Sequence, residues 1–390
     1  MDKPSGKTAR LTEKRHGGGV VEAARALNKN FEDIIDFSAN INPLGLPEGL
    51  KELLGFSIDS IVHYPEIRAR TLREKIARMS DLSPSSIFVE AGSTPLIYML
   101  ARHLGTQNNC VIAPAFSEYA AAFEIMGRPD VHYHVLTEAD EFLLTQESVN
   151  ELVSKQHDLV ILANPANPTG RRLPPASLNQ LMRYSSEKGF FLVLDEAFMG
   201  FCEDQFSMER AIHDFPYLIV LKSLTKLFAI PGLRLGYMVS GNNDVINTFE
   251  DRMEPWSVNS LAQKAGLFLL DQKRYVEDTP ANATKLRNFL TQTLSPFFDF
   301  FDSECNFVMA RIKDAPNAPR MGPPKDPQEL EERKLLKKKV VDYLYAQGIL
   351  IRDLDGMKGL DDGFVRLAVR PQNETICLRK SLESFYAQTV

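Results

Sequence analysis

Ser223-Leu-Thr-Lys226-Leu-Phe-Ala-Ile-Pro-Gly-Leu-Arg234-Leu-Gly-Tyr237 decides how the rest of this chain is read. It places a lysine between a serine and an arginine. A Schiff-base enzyme needs that set: an amine nucleophile, with a hydroxyl and a fixed cation to hold a phosphate. Arg234 suits the phosphate because its planar fork donates two hydrogen bonds. The same string also fits a surface helix with ordinary charges, so its meaning depends on what surrounds it.

Around it, short apolar runs alternate with helical spacing: Ile87–Glu90, Cys110–Ala113, Leu159–Ala163, Phe190–Leu194, Leu218–Leu221 and Leu235–Val239. Continuous hydrophobicity suits strands covered on both faces. Interleaved helices predict an open α/β sheet with a mainly parallel core, whose ligands bind at the carboxyl ends of strands. The suggestive residues recur just there: Gly92-Ser93-Thr94, Asn164 to Gly170, Asp195, and Ser223 to Lys226. Ser93 is placed to cap a helix over 94–103. Further helices are expected over 19–29, 66–80 and 329–347, the last ending at Gly348 after a proline-rich loop over 313–328. The Lys337-Lys338-Lys339 run reads as a solvated face.

Two turns carry chemistry of their own. In Asn164-Pro-Ala-Asn167-Pro-Thr-Gly170, an amide beside fixed prolines can donate to a phenolic oxygen, or the segment is a plain turn. Leu192-Val-Leu-Asp195 ends an apolar run on a carboxylate that needs a partner if buried. A protonated pyridine nitrogen would serve, as would the start of a following helix.

In this order the segments resemble the fold-type I pyridoxal-phosphate enzymes, in the branch of the histidinol-phosphate aminotransferases, over nearly the whole chain. The resemblance implies a large domain with a mainly parallel seven-stranded sheet and a smaller α+β C-terminal domain. It divides the chain into an arm over 1–45 packing with the small domain, a cofactor-binding domain over 46–260 and a small domain over 261–390. It implies pyridoxal 5'-phosphate as cofactor, with Lys226 bound covalently to it and later moving protons. Asp195 would pair with the ring nitrogen and Asn167 with the ring hydroxyl. Ser223, Arg234 and the Ser93-Thr94 helix start would hold the phosphate. An aromatic of Ala113-Pro-Ala-Phe116-Ser-Glu-Tyr119 would stack on the ring, Tyr119 ahead of Phe116. Tyr64 would reach the cofactor phosphate of a neighbouring subunit, making the active unit a homodimer. Arg366, in Phe364-Val-Arg366-Leu-Ala-Val-Arg370, would clamp the substrate carboxylate.

Finer features resemble the threonine-phosphate decarboxylases of cobalamin synthesis: His16-Gly-Gly-Gly19, Asp36-Phe-Ser-Ala-Asn40-Ile-Asn-Pro43-Leu-Gly45, Gly92-Ser-Thr-Pro-Leu-Ile-Tyr98, Asp195-Glu-Ala-Phe198-Met and Ile351-Arg352-Asp353. Phe198 stands where aminotransferases of this branch carry a tyrosine. The implied substrate is L-threonine O-3-phosphate, or L-serine O-phosphate, since one methyl changes discrimination by only ~1–3 kcal/mol. On that resemblance His16, Asn40, Arg352 and Arg366 would share the phosphate and carboxylate contacts, with Asn167 beside them, although the segment of His16 also reads as a plain N-terminal arm. Decarboxylation and amino transfer differ in which bond at Cα stands perpendicular to the ring, and that is set by how the substrate anions are gripped.

Composition agrees. The chain has 390 residues, 44% apolar, with a formal net charge of -6. That balance argues against nucleic acid or an anionic membrane surface as partner. No run approaches the ~18 apolar residues of a bilayer span. The N-terminus lacks the apolar core of a secretory signal, and the four dispersed cysteines suit a cytoplasmic setting better than disulfides or zinc. Competing motifs fail: no G-x-S-x-G elbow accompanies the glycines after His16, no strand precedes Gly6-Lys7-Thr8, and no G-x-G-x-x-G follows a strand. His132 and His134 read as one exposed strand face, not a metal site. The alternatives kept are an amino-acid aminotransferase and a cofactor-binding regulatory module.

Overall fold

The computed structural model describes residues 17–320, 322–360 and 363–389. Its strands are β1 (Ile35–Asp36), β2 (Ile87–Glu90), β3 (Asn109–Ala113), β4 (His132–Val135), β5 (Leu159–Ala163), β6 (Phe191–Asp195), β7 (Leu218–Ser223), β8 (Gly236–Ser240), β9 (Phe298–Phe300), β10 (Phe307–Ile312), β11 (Ile349–Leu350), β12 (Arg352–Asp353) and β13 (Phe364–Ala368). Seven of them form one sheet in the order β2-β8-β7-β6-β5-β3-β4. β7, β6, β5, β3 and β4 run parallel, while β8 lies antiparallel between β2 and β7. The expected mainly parallel seven-stranded sheet is what forms.

The apolar runs explain that sheet. Along β5, Val160 and Leu162 enter one core and Leu159 and Ile161 the other, as the period-2 alternation of a strand requires. Both faces are covered, so the strand is apolar throughout rather than alternating. Each fully buried Leu or Ile contributes roughly 1.5–3 kcal/mol relative to exposure.

A third core gathers Phe37 with Leu290, Leu294, Val308, Ile312, Val340 and Leu382. It covers one side of a four-stranded sheet, β12-β13-β10-β9. The N-terminal segment joins it by main chain as well: β1 pairs in parallel with β11, and the Phe37 carbonyl accepts from Ala368 N–H at 2.8 Å.

Three local expectations change. The helix of Ser93 begins at Ser93 itself, after Gly92, and has no side-chain cap. On β4, His132 is exposed, while His134, two residues on and on the same face, is buried against Ser148, because the helix Gln146–Ser154 covers that part of the edge strand. Lys337 is not solvated. It lies buried on the helix Pro327–Gln347 and meets Asp353 at 2.8 Å and Asp355 at 3.6 Å. The helix turns Lys337 inward while Lys338, one position on, stays exposed. The helix ends at Gly348, whose φ of 85° suits glycine.

Candidate active site

The carboxyl ends of β5, β6 and β7 bring the motif residues together. Asp195 is the last residue of β6 and is buried. It accepts a hydrogen bond from the Tyr119 hydroxyl at 2.8 Å and from Ala197 N–H at 3.0 Å. Burial raises its pKa even so, because two hydrogen bonds do not replace a counter-charge. Tyr119 is almost wholly buried, and burial together with Asp195 pushes its hydroxyl well above the usual range. The half-buried Phe116 ring meets it edge-on at 5.8 Å. Next in the chain, Glu196 is held by Lys222 at 3.1 Å, Ser207 Oγ at 2.6 Å and Met208 N–H at 2.8 Å. That network fixes the chain on both sides of the site, since Lys222 precedes Ser223.

Lys226 sits on the one-turn helix Leu224–Leu227 at the end of β7. Burial, then the positive charges of Arg366 and Arg234, push its amine down to about 8, against the pull of Asp195 and Asp36. A lysine so placed is a better nucleophile than a solvated one.

A close crossing of backbones makes a corner lined with donors. Gly92 has φ of 97°, and a Cβ there would stand 2.7 Å from an Arg234 guanidinium nitrogen. A Cβ on Gly236 would stand 2.8 Å from the Gly92 carbonyl carbon and 2.9 Å from Ser93 N. Gly236 pairs with Ser223 across β7 and β8. Thus the uncapped N–H groups of the Ser93-Thr94 helix start, the Arg234 guanidinium and the buried Ser223 hydroxyl share one corner. Ser223 Oγ lies 2.7 Å from Thr225 Oγ1. These groups are donors with a net positive charge, which fits a phosphate ester.

A second cluster faces them. Arg366 on β13 donates to Asn167 Oδ1 at 2.5 Å and to the Ser38 carbonyl at 2.7 Å. Its Nε is buried without an acceptor among the described residues. Its guanidinium lies 5.4 Å from the ring of Phe307, which packs on Phe198. Arg352 stands directly opposite Arg366 across β12 and β13. Burial and then Arg352 lower Arg366 to about 9, and burial lowers Arg352 as well. Like charges directly opposed across a sheet are destabilising, and an anion bound beside them relieves that cost. Asn40, two residues after Ser38, is buried, and its Oδ1 has no partner among the described residues.

Two candidates stand apart. Tyr64 is 79% exposed and packs on Trp256 with ring centroids 4.5 Å apart. His16 lies outside the described residues. The carbonyl of Ser38 and the Tyr119–Asp195 bond were missed by sequence reasoning. Neither carries a linear signal.

Sheet, lysine, buried carboxylate and donor-lined corner together define a fold-type I pyridoxal-phosphate enzyme, and the donor set and the under-neutralised Asp195 fit that cofactor. The chain belongs to the aminotransferase class I and II family, whose model matches residues 32–377. It is 31% identical over 372 residues to a threonine-phosphate decarboxylase of Salmonella typhimurium, covering 94% of this chain and 95% of the relative. It is 30% identical to a histidinol-phosphate aminotransferase of Desulfitobacterium hafniense, over 74% of this chain and 80% of that one. The histidinol-phosphate aminotransferase structure from Clostridium acetobutylicum superposes with a TM-score of 0.79 at 24% identity, covering 91% of this chain and 100% of that one. Among the described residues no helix is long and apolar enough to cross a membrane.

Proposed function

We propose that this enzyme decarboxylates an O-phosphorylated amino acid, turning L-threonine O-3-phosphate into (R)-1-aminopropan-2-yl phosphate for the nucleotide loop of a cobamide. L-Serine O-phosphate, giving ethanolamine phosphate, is the variant substrate. The observation that carries the reading is the in-register pair of half-buried Arg352 and buried Arg366, two arginines at directly opposed strand positions, the charge of the first felt by the second. Such a pair calls for a ligand bearing two anionic groups, a carboxylate and a phosphate. The relatedness to a threonine-phosphate decarboxylase supports the same choice.

When bound, pyridoxal phosphate supplies an electron-poor ring that accepts the electrons of the bond broken at the substrate Cα. The chain's own residues do the rest. Asp195 would hold the ring nitrogen's proton, and Tyr119 orients that carboxylate. The Asn167 amide would donate to the ring hydroxyl, while its oxygen accepts from Arg366, which would tie the cofactor and substrate ends together. Phe198 brings no hydroxyl to that corner. We assign ring stacking to Phe116, because Tyr119 is fully buried with its hydroxyl committed to Asp195. Ser223, Arg234 and the Ser93-Thr94 N–H groups hold the cofactor phosphate. Arg366 grips the substrate carboxylate, and Arg352 and Asn40 hold the substrate phosphate. Lys226 Nζ is the amine nucleophile and returns the proton to Cα.

The arm over 1–45 and the domain over 261–390 would then form the substrate side, and 46–260 the cofactor side. A homodimer completes the site: Phe56, Ile61, Val62 and Tyr64 are exposed apolar side chains in one stretch, suited to burial against a second copy that Tyr64 would reach into.

The test supplies threonine phosphate and serine phosphate without a keto acid and assays carbon dioxide and the phosphorylated amine. Turnover only with 2-oxoglutarate would establish the aminotransferase instead.

A further inference from the structure

Ser38 holds more of the site than its short side chain suggests. Its N–H and its Oγ both donate to Asp36 Oδ1, at 2.7 and 2.6 Å. Its carbonyl accepts from Arg366 Nη2 at 2.7 Å. Its Oγ accepts from Gly18 N–H at 2.8 Å. A Cβ on Gly17 would lie 2.1 Å from that same carbonyl oxygen. The flanking main chain is pinned too, since Phe37 N–H donates to Leu350 and its carbonyl accepts from Ala368. One residue therefore serves three tasks. A carboxylate sets its orientation, an arginine of the site reads that orientation, and the backbone of Gly17 and Gly18 rests on it.

The contacts follow from small residues at defined places. Asp36 ends β1, so its side chain is anchored by strand pairing while the chain turns back through Ser38. A carboxylate that accepts from the N–H and hydroxyl two residues on is an Asx turn, which fixes the intervening peptide. Only glycine at 17 lets main chain approach a carbonyl so closely. The negative charge of Asp36 also opposes the loss of charge on Arg366 and Lys226.

We propose that Asp36 and Ser38 are positioning residues that couple the seat of the Gly17-Gly18 backbone to the orientation of Arg366. Neither touches the reacting atoms. They act through the Ser38 carbonyl, and this rests on Arg366 being the carboxylate clamp. The consequence is that a change at Gly17, remote from the chemistry, weakens anion binding at Arg366 by the same route as a change at Asp36.

The test is a double-mutant cycle on the holoenzyme with Asp36→Ala, Gly17→Ala and the pair, measuring KM and kcat for L-threonine O-3-phosphate. Each single change is expected to raise KM about tenfold with kcat within about twofold, and the pair to be no worse than the worse single. Asp36→Asn keeps the Oδ1 acceptor and is expected to recover most of the loss. Ser38→Ala, which removes both side-chain bonds, should match Asp36→Ala. Binding of malonate, followed through the cofactor absorbance, reads the same coupling even if threonine phosphate does not turn over, so failure of the substrate assignment is seen separately. Effects that multiply in the double variant, an Asp36→Asn as impaired as Asp36→Ala, or a fall in kcat with KM unchanged would each overturn the coupling.

Discussion

Lys226 is kept part way to its neutral form by its neighbours, and this has a measurable consequence. With its amine at about 8, the nucleophilic fraction grows as pH rises through that value. Capture of pyridoxal phosphate by the cofactor-free protein should therefore accelerate between about pH 7 and 9 and level off above; a rate still climbing past about pH 10 would refute the depressed amine. Lys226→Ala is expected to abolish the visible absorbance of bound cofactor and to cost at least ~10³ in turnover, read by carbon dioxide release. Tyr119→Phe removes one of the two bonds to Asp195 and should weaken the site by about 1–3 kcal/mol, seen as a fall in kcat and a shift of the cofactor spectrum. These residues were legible to different degrees. Lys226, Asp195, Asn167, Arg234 and Arg366 each sit in a short string whose chemistry is local. Tyr119 hands its hydroxyl to a residue 76 positions away. Ser38 acts through a carbonyl that every residue possesses, so no linear pattern marks it.

Among elements, the crossing of β8 with the turn before Ser93 sets a steric constraint at the site itself. Gly92→Ala would need a side chain at φ of 97° and a Cβ 2.7 Å from Arg234. It should cost roughly 1–3 kcal/mol of folding stability and weaken cofactor affinity at least about tenfold, as measured by urea unfolding and by titration with pyridoxal phosphate. Strands were readable because burial on both faces leaves apolar runs with few alternatives. The cap was not, because Ser93 satisfies the same residue preference whether it precedes the helix or opens it. Lys337 was misread for a related reason: three adjacent lysines look alike in sequence, yet a helix spreads them over about 200° and turns one inward. Its removal in Lys337→Ala should loosen β12 and raise KM for the phosphorylated substrate more than it lowers kcat.

Over the whole molecule, acid should act through buried imidazoles. His134 hydrogen-bonds Ser148 at 2.6 Å and His157 the Leu152 carbonyl at 3.0 Å, and burial holds both below the usual histidine range. The unfolded chain therefore takes up protons first as pH falls below ~6.5, and stability drops from there downward while being retained above. Urea midpoints on either side of that value, at about pH 5 and 7.5, should differ, and His134→Gln should shrink the difference. An undiminished difference in the variant would remove His134 from the account. Phe37 carries a further consequence. The other fully buried members of its core begin at Leu290. During synthesis the ring must wait, at about 5–20 residues per second, on the order of tens of seconds before its neighbours leave the ribosome. A segment made well before its partners is thus among the last to find its place, and a nascent chain stalled between the two would present that aromatic to chaperones.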